Sequence, residues 1–199
     1  HYPLRRQRQM CIRDRFNDVS LEELWQIYEK NWDPLGYADE KHRLERFKSG
    51  KTVLKNYYEN LDKSVKPFAL EKSFKLRLDK VTLGGRIDRI DNVQGGVEII
   101  DYKTGSKKSQ KEVDKDKQVT VYALAVKEGM GLEPVKLSLY FVEGGGKIST
   151  TRTQKDMEAI KEEVQEVVNL MKEGKFEPKA GFHCRWCDYR SICAFAKRE

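Results

Sequence analysis

Long apolar runs are absent from this sequence of 199 residues. No stretch approaches the roughly 20 consecutive apolar residues that a membrane-spanning helix needs. The first residues are basic, but no apolar segment follows them, so no secretory signal is recognisable. Charged residues make up 36% of the chain and apolar residues 38%. This composition predicts a water-soluble protein with one domain of moderate size and a core of its own.

Cysteine is scarce, and its distribution is uneven. Four cysteines occur, and three of them crowd near the C-terminus as Cys184-x2-Cys187-x5-Cys193. In a chain without a recognisable signal peptide, this crowding favours metal binding over disulfides and predicts a reducing, cytoplasmic setting. A zinc ribbon would need a second separated pair, which is missing. Two ligand sets remain open: a [4Fe–4S] cluster completed by Cys11, and a zinc ion completed by His183 or Cys11.

Negative charge is in deficit. The 39 lysine and arginine residues outnumber the 32 aspartate and glutamate residues, which gives a formal charge of +7. Such an excess fits a polyanionic partner such as nucleic acid, although ordinary colloidal solubility explains it too. Residues 1–16 are rich in arginine, do not begin with methionine and show no periodicity. We interpret this segment as a basic arm or as a piece foreign to the fold, in which case Cys11 is a stray thiol.

Helical and strand patterns follow one another along the chain. Ser20 and Glu23 have the spacing of a capping box, which predicts a helix that starts after Ser20. A strand–helix–strand passage through residues 96–142 predicts a mixed sheet with helices on its faces. The remaining periodicities predict a helix over about 40–60, strands over 68–78, 81–91 and 96–103, a polar connection over 107–117, a helix over 118–128, strands over 136–142 and 148–152, and a long helix through Met157 and Met171.

The stretch GGRIDRIDNVQGGVEIIDYKTG, from Gly84 to Gly105, reads as two strands joined by a turn. The second strand ends in polar residues where a core strand would stay apolar. Asp101 and Lys103 are two positions apart, so their side chains share one face, and the first strand contributes Asp88. Two carboxylates and an ammonium at the edge of an apolar sheet predict a site for a hard divalent cation such as Mg²⁺. The D-x-K pattern is common by itself, and a surface hairpin with salt bridges would also contain it.

Gln118 and Tyr122 form a second candidate group. They lie four positions apart on a predicted helix, so they face the same way. The amide can bind a ligand or the strand carboxylates, and the tyrosine can reach a phosphate or stack on a base. A helix-terminal glutamine and a core tyrosine would explain them as well. Glu71, ahead of Gly84, is a further candidate metal ligand or else a solvated charge, and the lysine-rich run 107–117 fits either a path for a phosphate backbone or a solvated loop.

Together these pieces resemble the RecB-type branch of the PD-(D/E)xK nuclease superfamily. The matching motifs cover about residues 65–195 in the family's order, namely GGRIDRID, IIDYKTG, QVTVY and C-x2-C-x5-C. The resemblance implies an α/β, restriction-endonuclease-like fold, with a central mixed β-sheet flanked by α-helices and a C-terminal cysteine-cluster segment. It implies a single nuclease domain over residues 17–199, made of a helical part (17–64), a catalytic sheet with its helices (65–175) and a cysteine cluster (180–195).

The same resemblance implies Mg²⁺- or Mn²⁺-dependent cleavage of DNA, often exonucleolytic on single strands. In that case Asp88 and Asp101 bind the metal, with Glu71 as an additional candidate. Lys103 positions or activates water, and two helical residues steady the site and the strand: Gln118 and Tyr122. The relatives are nuclease domains of bacterial helicase–nucleases and CRISPR-associated adaptation nucleases. They imply DNA repair or recombination, or CRISPR adaptation, with a helicase or a CRISPR adaptation protein as partner.

In the iron–sulfur members of this family, the cysteines hold a [4Fe–4S] cluster, for which the candidates here are Cys184, Cys187, Cys193 and Cys11. Two departures affect this part of the resemblance. The family's early cysteine is often followed by proline and then by a helix with a metal-contacting histidine, but Ile12 follows Cys11 and no early histidine has that context. We therefore interpret the native N-terminus as truncated or replaced. The competing hypothesis is a non-catalytic nucleic-acid-binding module, or a zinc- or iron–sulfur-stabilised interaction domain of a larger helicase–nuclease complex.

Overall fold

The structure, a computed structural model, describes residues 19–65, 67–79, 81–144 and 146–197. The segment 1–16, and with it Cys11, lies outside the described residues. Two helices come first, α1 (Leu21–Lys30) and α2 (Glu40–Glu59). The predicted capping box at the start of α1 is confirmed. The Ser20 hydroxyl accepts a hydrogen bond from the Glu23 N–H (3.2 Å), and the Glu23 carboxylate accepts one from the Ser20 N–H (2.8 Å).

A five-stranded mixed sheet forms the centre of the fold. In chain order its strands are β1 (Pro67–Leu78), β2 (Val81–Val93), β3 (Gly96–Lys103), β4 (Pro134–Phe141) and β5 (Lys147–Thr150), and their spatial order is the same. The pair β3–β4 is parallel and the other three pairs are antiparallel. Parallel neighbours need a crossover connection, so the predicted strand–helix–strand passage is confirmed. The strand β3 is the middle strand of the sheet.

Helices cover both faces of this sheet. The crossover contains α3 (Gln110–Asp114), α4 (Lys117–Leu124) and one π-helical turn (Ala125–Gly129), and α5 (Gln154–Lys172) follows β5. On one face, apolar residues of β1–β4 pack against α4 and the start of α5. On the other face, Ile100 and Tyr102 of β3 form a smaller cluster with Tyr57 of α2. The α/β class and the restriction-endonuclease-like architecture are therefore confirmed.

Three local features differ from the expectation. The predicted polar connection contains α3, because Ser109 and Glu112 form a second capping box. The helix predicted over 118–128 is α-helical only to Leu124 and ends in the wider π turn, which the apolar period does not reveal. Pro67 opens β1 instead of standing outside it, which is tolerated because proline suits the first residue of an edge strand.

The chain divides into two compact units, one ending at Ile160 and the other beginning at Lys161. The first contains the sheet and α1–α4. The second contains most of α5 and a short 3₁₀ helix, Phe182–Trp186, within the cysteine-rich segment. None of the helices described here is both long enough and apolar enough to cross a bilayer.

Candidate active site

The polar end of β3 forms one side of the candidate site. The Asp101 side chain is buried, and its Oδ2 lies 2.7 Å from Nζ of Lys103. The two residues share a face because they are two positions apart on one strand. That face is the one that packs against α4, since Ile99 of the same series contacts the main core. The predicted convergence of Asp101 and Lys103 is what the structure shows.

Helix α4 supplies the other side. Lys103 Nζ donates to Oε1 of Gln118 at 2.5 Å, and Nε2 of Gln118 donates to the Tyr122 hydroxyl at 2.7 Å. Oδ1 of Asp101 then lies 3.4 Å from both Gln118 Nε2 and the Tyr122 hydroxyl. The four side chains thus form a closed ring of contacts between a strand and a helix. The spacing of four residues between Gln118 and Tyr122 explains why both reach the same strand.

The start of α4 is fixed by a residue that the sequence reasoning did not single out. Asp116 is the N-cap residue, and its carboxylate accepts a hydrogen bond from the Gln118 N–H at 3.0 Å. Lys108 pairs with the same carboxylate at 2.8 Å. Burial opposes the charge on Asp116, but the contact with Lys108 and the backbone N–H groups outweigh burial and hold its pKa below the ordinary value. Asp two residues before Gln118 is a recognisable N-cap signal, and it orients the helix turn that presents Gln118.

Asp88 joins the site from β2. Arg89 pairs with Ile100 in the antiparallel register, and continuing that register by one residue places Asp88 opposite Asp101. The buried Asp88 carboxylate accepts a hydrogen bond from the Tyr102 backbone N–H at 2.9 Å. The two carboxylates also affect the Tyr122 hydroxyl. Burial raises the pKa of Tyr122 most, and the negative charges of Asp101 and Asp88 raise it further, to about 12.

Asp88 and Asp101 suit a hard divalent cation. Mg²⁺ takes oxygen ligands and keeps several waters, so one or two carboxylates are enough to place it. Both carboxylates are buried on neighbouring strands, and each is oriented by a hydrogen bond from the protein. Within the ranges that the structure describes, no three His, Cys, Asp or Glu side chains form a group that could hold a metal. The fit therefore depends on this carboxylate pair.

Glu71 has a protein partner instead of an open position. Its Oε2 lies 3.0 Å from Nε of Arg86 on the neighbouring strand. Glu71 also has a left-handed backbone, with φ of 49°, and it stands at the level of Asp88 because Leu70 and Lys72 pair with the residues on either side of Asp88. As a metal ligand, Glu71 would have to exchange its contact with Arg86.

The three C-terminal cysteines are free thiols in the second compact unit. Cys184 lies in the 3₁₀ turn, where its sulfur accepts a hydrogen bond from the Gly181 N–H at 3.4 Å. That bond and one from the Lys197 backbone lower the pKa of Cys184. Cys187 directly follows the turn, and His183 precedes Cys184 with its ring against Phe182. Because no metal-holding group of three is formed in the described part of the chain, the cluster remains a prediction.

Tyr122 gives this site a testable pH dependence. Its pKa of about 12 in the folded protein exceeds the unfolded value of about 10, so its contribution to stability is complete below pH 10 and is lost as the pH rises through 12. At pH 8 we expect Tyr122→Phe to unfold about 1 kcal/mol more easily, because the hydroxyl bonds are gone. At pH 11 that difference should fall by about 1.4 kcal/mol and so change sign, which leaves Tyr122→Phe slightly more stable than the wild type. Urea unfolding at both pH values measures it.

The exposed Tyr189 provides the control, since Tyr189→Phe removes a hydroxyl far along the sequence from the site. Its effect on the free energy of unfolding should be small at both pH values. An identical loss of stability in Tyr122→Phe at pH 8 and pH 11 would contradict the described environment of this hydroxyl.

Comparisons with known proteins identify the family of this chain. The family model of the PD-(D/E)XK nuclease superfamily matches residues 5–194. The Gene 69 proteins of Mycobacterium phage D29 and Mycobacterium phage L5 are 33% and 34% identical to this chain over 136 residues, which is 65% of its length. Those matches cover 49% and 45% of the phage proteins, so the chain spans about half the length of the curated relatives it matches.

Among solved structures, the crystal structure of SSO0001 aligns with 96% of this chain and 82% of its own, at 14% identity and a TM-score of 0.45. A likeness at this level is too low to indicate a shared activity. The family match is different in kind, because it covers nearly the whole chain and includes all the residues gathered around Asp101. This chain belongs to the PD-(D/E)XK nuclease superfamily.

Proposed function

We propose that this protein is a metal-dependent deoxyribonuclease of the RecB type, which hydrolyses phosphodiester bonds in DNA. The main support is the ring of contacts at the end of β3, in which Lys103 touches both Asp101 and Gln118 while Tyr122 touches Asp101. Buried charges weaken a fold unless they are paired or used, and polar groups that break the local pattern of a core strand are expected at functional sites. Membership of a nuclease superfamily supports the reaction class.

In the proposed mechanism, Asp88 and Asp101 bind Mg²⁺ or Mn²⁺, which supplies Lewis acidity and charge stabilisation to the phosphodiester. Lys103 orients the attacking water and stabilises negative charge that develops at phosphorus. Gln118 holds Lys103 through its carbonyl oxygen and Tyr122 through its amide nitrogen. Tyr122 stays protonated at neutral pH and donates to Asp101, which keeps that carboxylate in one orientation.

We propose single-stranded DNA as the substrate and exonucleolytic digestion as the mode, in DNA repair or recombination or in CRISPR adaptation. The motif likeness to helicase–nucleases and CRISPR-associated adaptation nucleases supports this, and it also supports a helicase or an adaptation protein as partner. End-labelled single-stranded DNA, incubated with Mg²⁺ and with EDTA, tests the activity. An exonuclease releases labelled mononucleotides only with the metal. The proposal is overturned if neither single-stranded nor double-stranded DNA is cleaved in the presence of the metal.

A basic groove beside Gln118 supports a polyanionic substrate. It is open to solvent and is formed by α3 and the start of α4, with walls that include Lys108, Lys111, Lys115 and Lys117. Lys108 already forms an ion pair with Asp116. Across the described ranges, Lys111 and Lys115 have no acidic partner, so their ammonium groups are available to phosphates.

Removing two of these charges should weaken DNA binding in a salt-dependent way. For the double variant Lys111→Ala/Lys115→Ala, we expect the plot of log affinity against log salt concentration to lose about 1.4 in slope, because each phosphate contact to a single strand contributes about 0.7. Fluorescence anisotropy of a labelled oligonucleotide in EDTA measures binding without cleavage. The control Lys30→Ala/Lys41→Ala removes two exposed lysines of the N-terminal helical part. Equal slopes for the groove variant and the wild type would show that Lys111 and Lys115 do not contact the phosphates of bound DNA.

We also propose that Cys184, Cys187 and Cys193 bind a [4Fe–4S] cluster or Zn²⁺, with Cys11 as the candidate fourth ligand. The crowding of these cysteines supports a metal centre and a reducing, cytoplasmic setting. The lowered pKa of Cys184 favours the thiolate that either metal requires. No step of the proposed hydrolysis depends on this centre. Analysis of the purified protein for iron, sulfide and zinc distinguishes the two ligand sets.

The second compact unit favours one other candidate function, a nucleic-acid-binding or interaction domain of a larger helicase–nuclease complex. Large apolar side chains are exposed throughout this unit, among them Phe176, Phe182, Trp186, Tyr189, Ile192 and Phe195. Exposed apolar groups at this density mark interaction surfaces. This candidate predicts salt-dependent DNA binding without turnover, and the cleavage assay separates it from a nuclease.

A further inference from the structure

A cavity lies on the face of the sheet opposite the candidate active site. Side chains alternate along β3, so Ile100 and Tyr102 point away from the face of Asp101 and Lys103. The cavity lies between this opposite face of the sheet and the C-terminal end of α2. Tyr57 of α2 forms part of the cavity wall. Its volume is about 720 Å³, within the range of roughly 300–1,000 Å³ that small-molecule sites occupy.

Buried charged groups line this cavity, and the proposed hydrolysis does not use them. Nε of Arg89 lies 2.6 Å from Oδ1 of Asp91, and both side chains are almost completely buried. The buried Glu98 carboxylate accepts a hydrogen bond from the Ser138 hydroxyl at 2.5 Å. An apolar wall would avoid the desolvation cost of these groups. These groups make the wall of the cavity polar.

The charges in the wall balance. Three cations and three anions line the cavity: Arg89, Lys136, Lys147, Asp62, Asp91 and Glu98. Lys147 and Lys136 lie 2.7 and 3.5 Å from the same oxygen of Glu98, so each already faces a carboxylate. A neutral wall does not select a free cation or a free anion. It suits an uncharged ligand that offers both hydrogen-bond donors and acceptors.

Aromatic rings supply the flat surface of the cavity. Tyr57, Tyr102 and Tyr140 contact one another with ring centroids 5.3–5.8 Å apart and steep angles between their planes. In the part of the chain that the structure describes, the Tyr140 hydroxyl has no hydrogen-bond partner, although its ring is half-buried. Asn56 adds an exposed side-chain amide to the rim. Stacking faces, an available hydroxyl and an amide are the groups that recognise the edge of a planar heterocycle.

We infer that this cavity binds an unpaired nucleobase, presented either by a nucleic-acid strand or by a free nucleoside. The choice of a nucleobase among planar neutral ligands rests on the proposed function. The base stacks on the half-buried ring of Tyr140, and the Asn56 amide bonds to its edge.

Tyr102 connects this cavity to the proposed active site. Its hydroxyl lies 2.8 Å from that of Tyr57 inside the cavity wall, while its backbone N–H donates to the Asp88 carboxylate on the other face. A ligand that displaces the Tyr102 ring therefore acts on the strand position that orients Asp88.

The test uses the full chain with the substitution Asp101→Asn, in EDTA, so that neither cleavage nor metal binding interferes. Deoxyadenosine and a short single-stranded oligonucleotide are titrated separately while the NMR signals of the tyrosine rings are followed. We expect ring signals to shift, and we expect Tyr140→Leu to weaken binding about tenfold or more, because base–aromatic stacking contributes about 1–3 kcal/mol. Asn56→Ala, at an exposed helix position, should weaken binding less and serves if Tyr140→Leu does not fold.

The control is Tyr189→Leu, which removes an exposed ring of the second compact unit and should leave the affinity unchanged. Dependence on Tyr140 or Asn56 with the oligonucleotide alone identifies a strand as the source of the base, and with deoxyadenosine it identifies a free nucleoside. Absence of binding, or binding that neither substitution weakens, overturns the inference. Because no turnover is measured, this outcome is independent of whether the wild-type protein cleaves DNA.

Discussion

Replacing Asp101 with asparagine should abolish metal-dependent DNA cleavage, with a loss of at least about 10³-fold, or about 4 kcal/mol of transition-state stabilisation. Asparagine keeps the shape of the side chain but removes the negative charge that pairs with Lys103 and is available to a cation. Lys103→Ala should lower the rate by about 10²–10³-fold, since it removes one preorganised group that stabilises developing charge. Release of label from end-labelled single-stranded DNA, at saturating Mg²⁺, measures both effects.

Two controls make these losses interpretable. Asp33→Asn removes an exposed carboxylate in the loop after α1 and should cleave at the wild-type rate. Thermal unfolding of each variant shows whether the fold is intact. Equal cleavage by wild type, Asp101→Asn and Lys103→Ala would show that these two side chains do not carry the nuclease activity.

Arg89→Ala should be the most destabilising of the substitutions considered, at about 3–5 kcal/mol, because it leaves Asp91 as an uncompensated buried charge. The two side chains are 5% and 4% exposed, so the Asp91 carboxylate that remains stays largely desolvated. For a chain of this length, about 2–4 °C of melting temperature is lost per kcal/mol, which gives a decrease of about 6–20 °C. Differential scanning calorimetry measures it directly.

Arg86 provides the matched control, on the same strand and also paired with a carboxylate. Its side chain is 43% exposed, so Arg86→Ala should cost less than about 1 kcal/mol. Replacing the buried pair together, as Arg89→Met/Asp91→Leu, should recover much of the stability, because apolar residues of similar volume avoid the desolvation cost. If Arg89→Ala is no more destabilising than Arg86→Ala, the Arg89–Asp91 pair is not the buried pair described here.

Periodicity predicts the elements of this fold well, and the reason is local. The capping box at Ser20, the strand that ends in Asp101 and Lys103, and the spacing of Gln118 and Tyr122 all depend on residues a few positions apart. Spacings of two on a strand and four on a helix determine which side chains share a face. The joint placement of these groups could therefore be predicted before any coordinates were known.

Features that depend on strand register or on burial could not be predicted. The contact of Glu71 with Arg86 follows from the β1–β2 register, which the pattern of charges does not specify. The Tyr102 N–H that orients Asp88 belongs to the backbone, so no residue type signals it. The buried Arg89–Asp91 pair reads in the sequence as an ordinary alternation of charges. The cysteine cluster stays a prediction, because Cys11, a candidate for its fourth ligand, lies outside the described residues.

The left-handed backbone of Glu71 lowers the thermal stability of the protein at a position where the carboxylate is a candidate metal ligand. A side chain in that geometry costs roughly 1–3 kcal/mol, and glycine would adopt it without strain. Directed evolution for thermal tolerance alone would therefore favour glycine at position 71. Selection that also demands turnover would retain the glutamate only if its carboxylate takes part in the reaction.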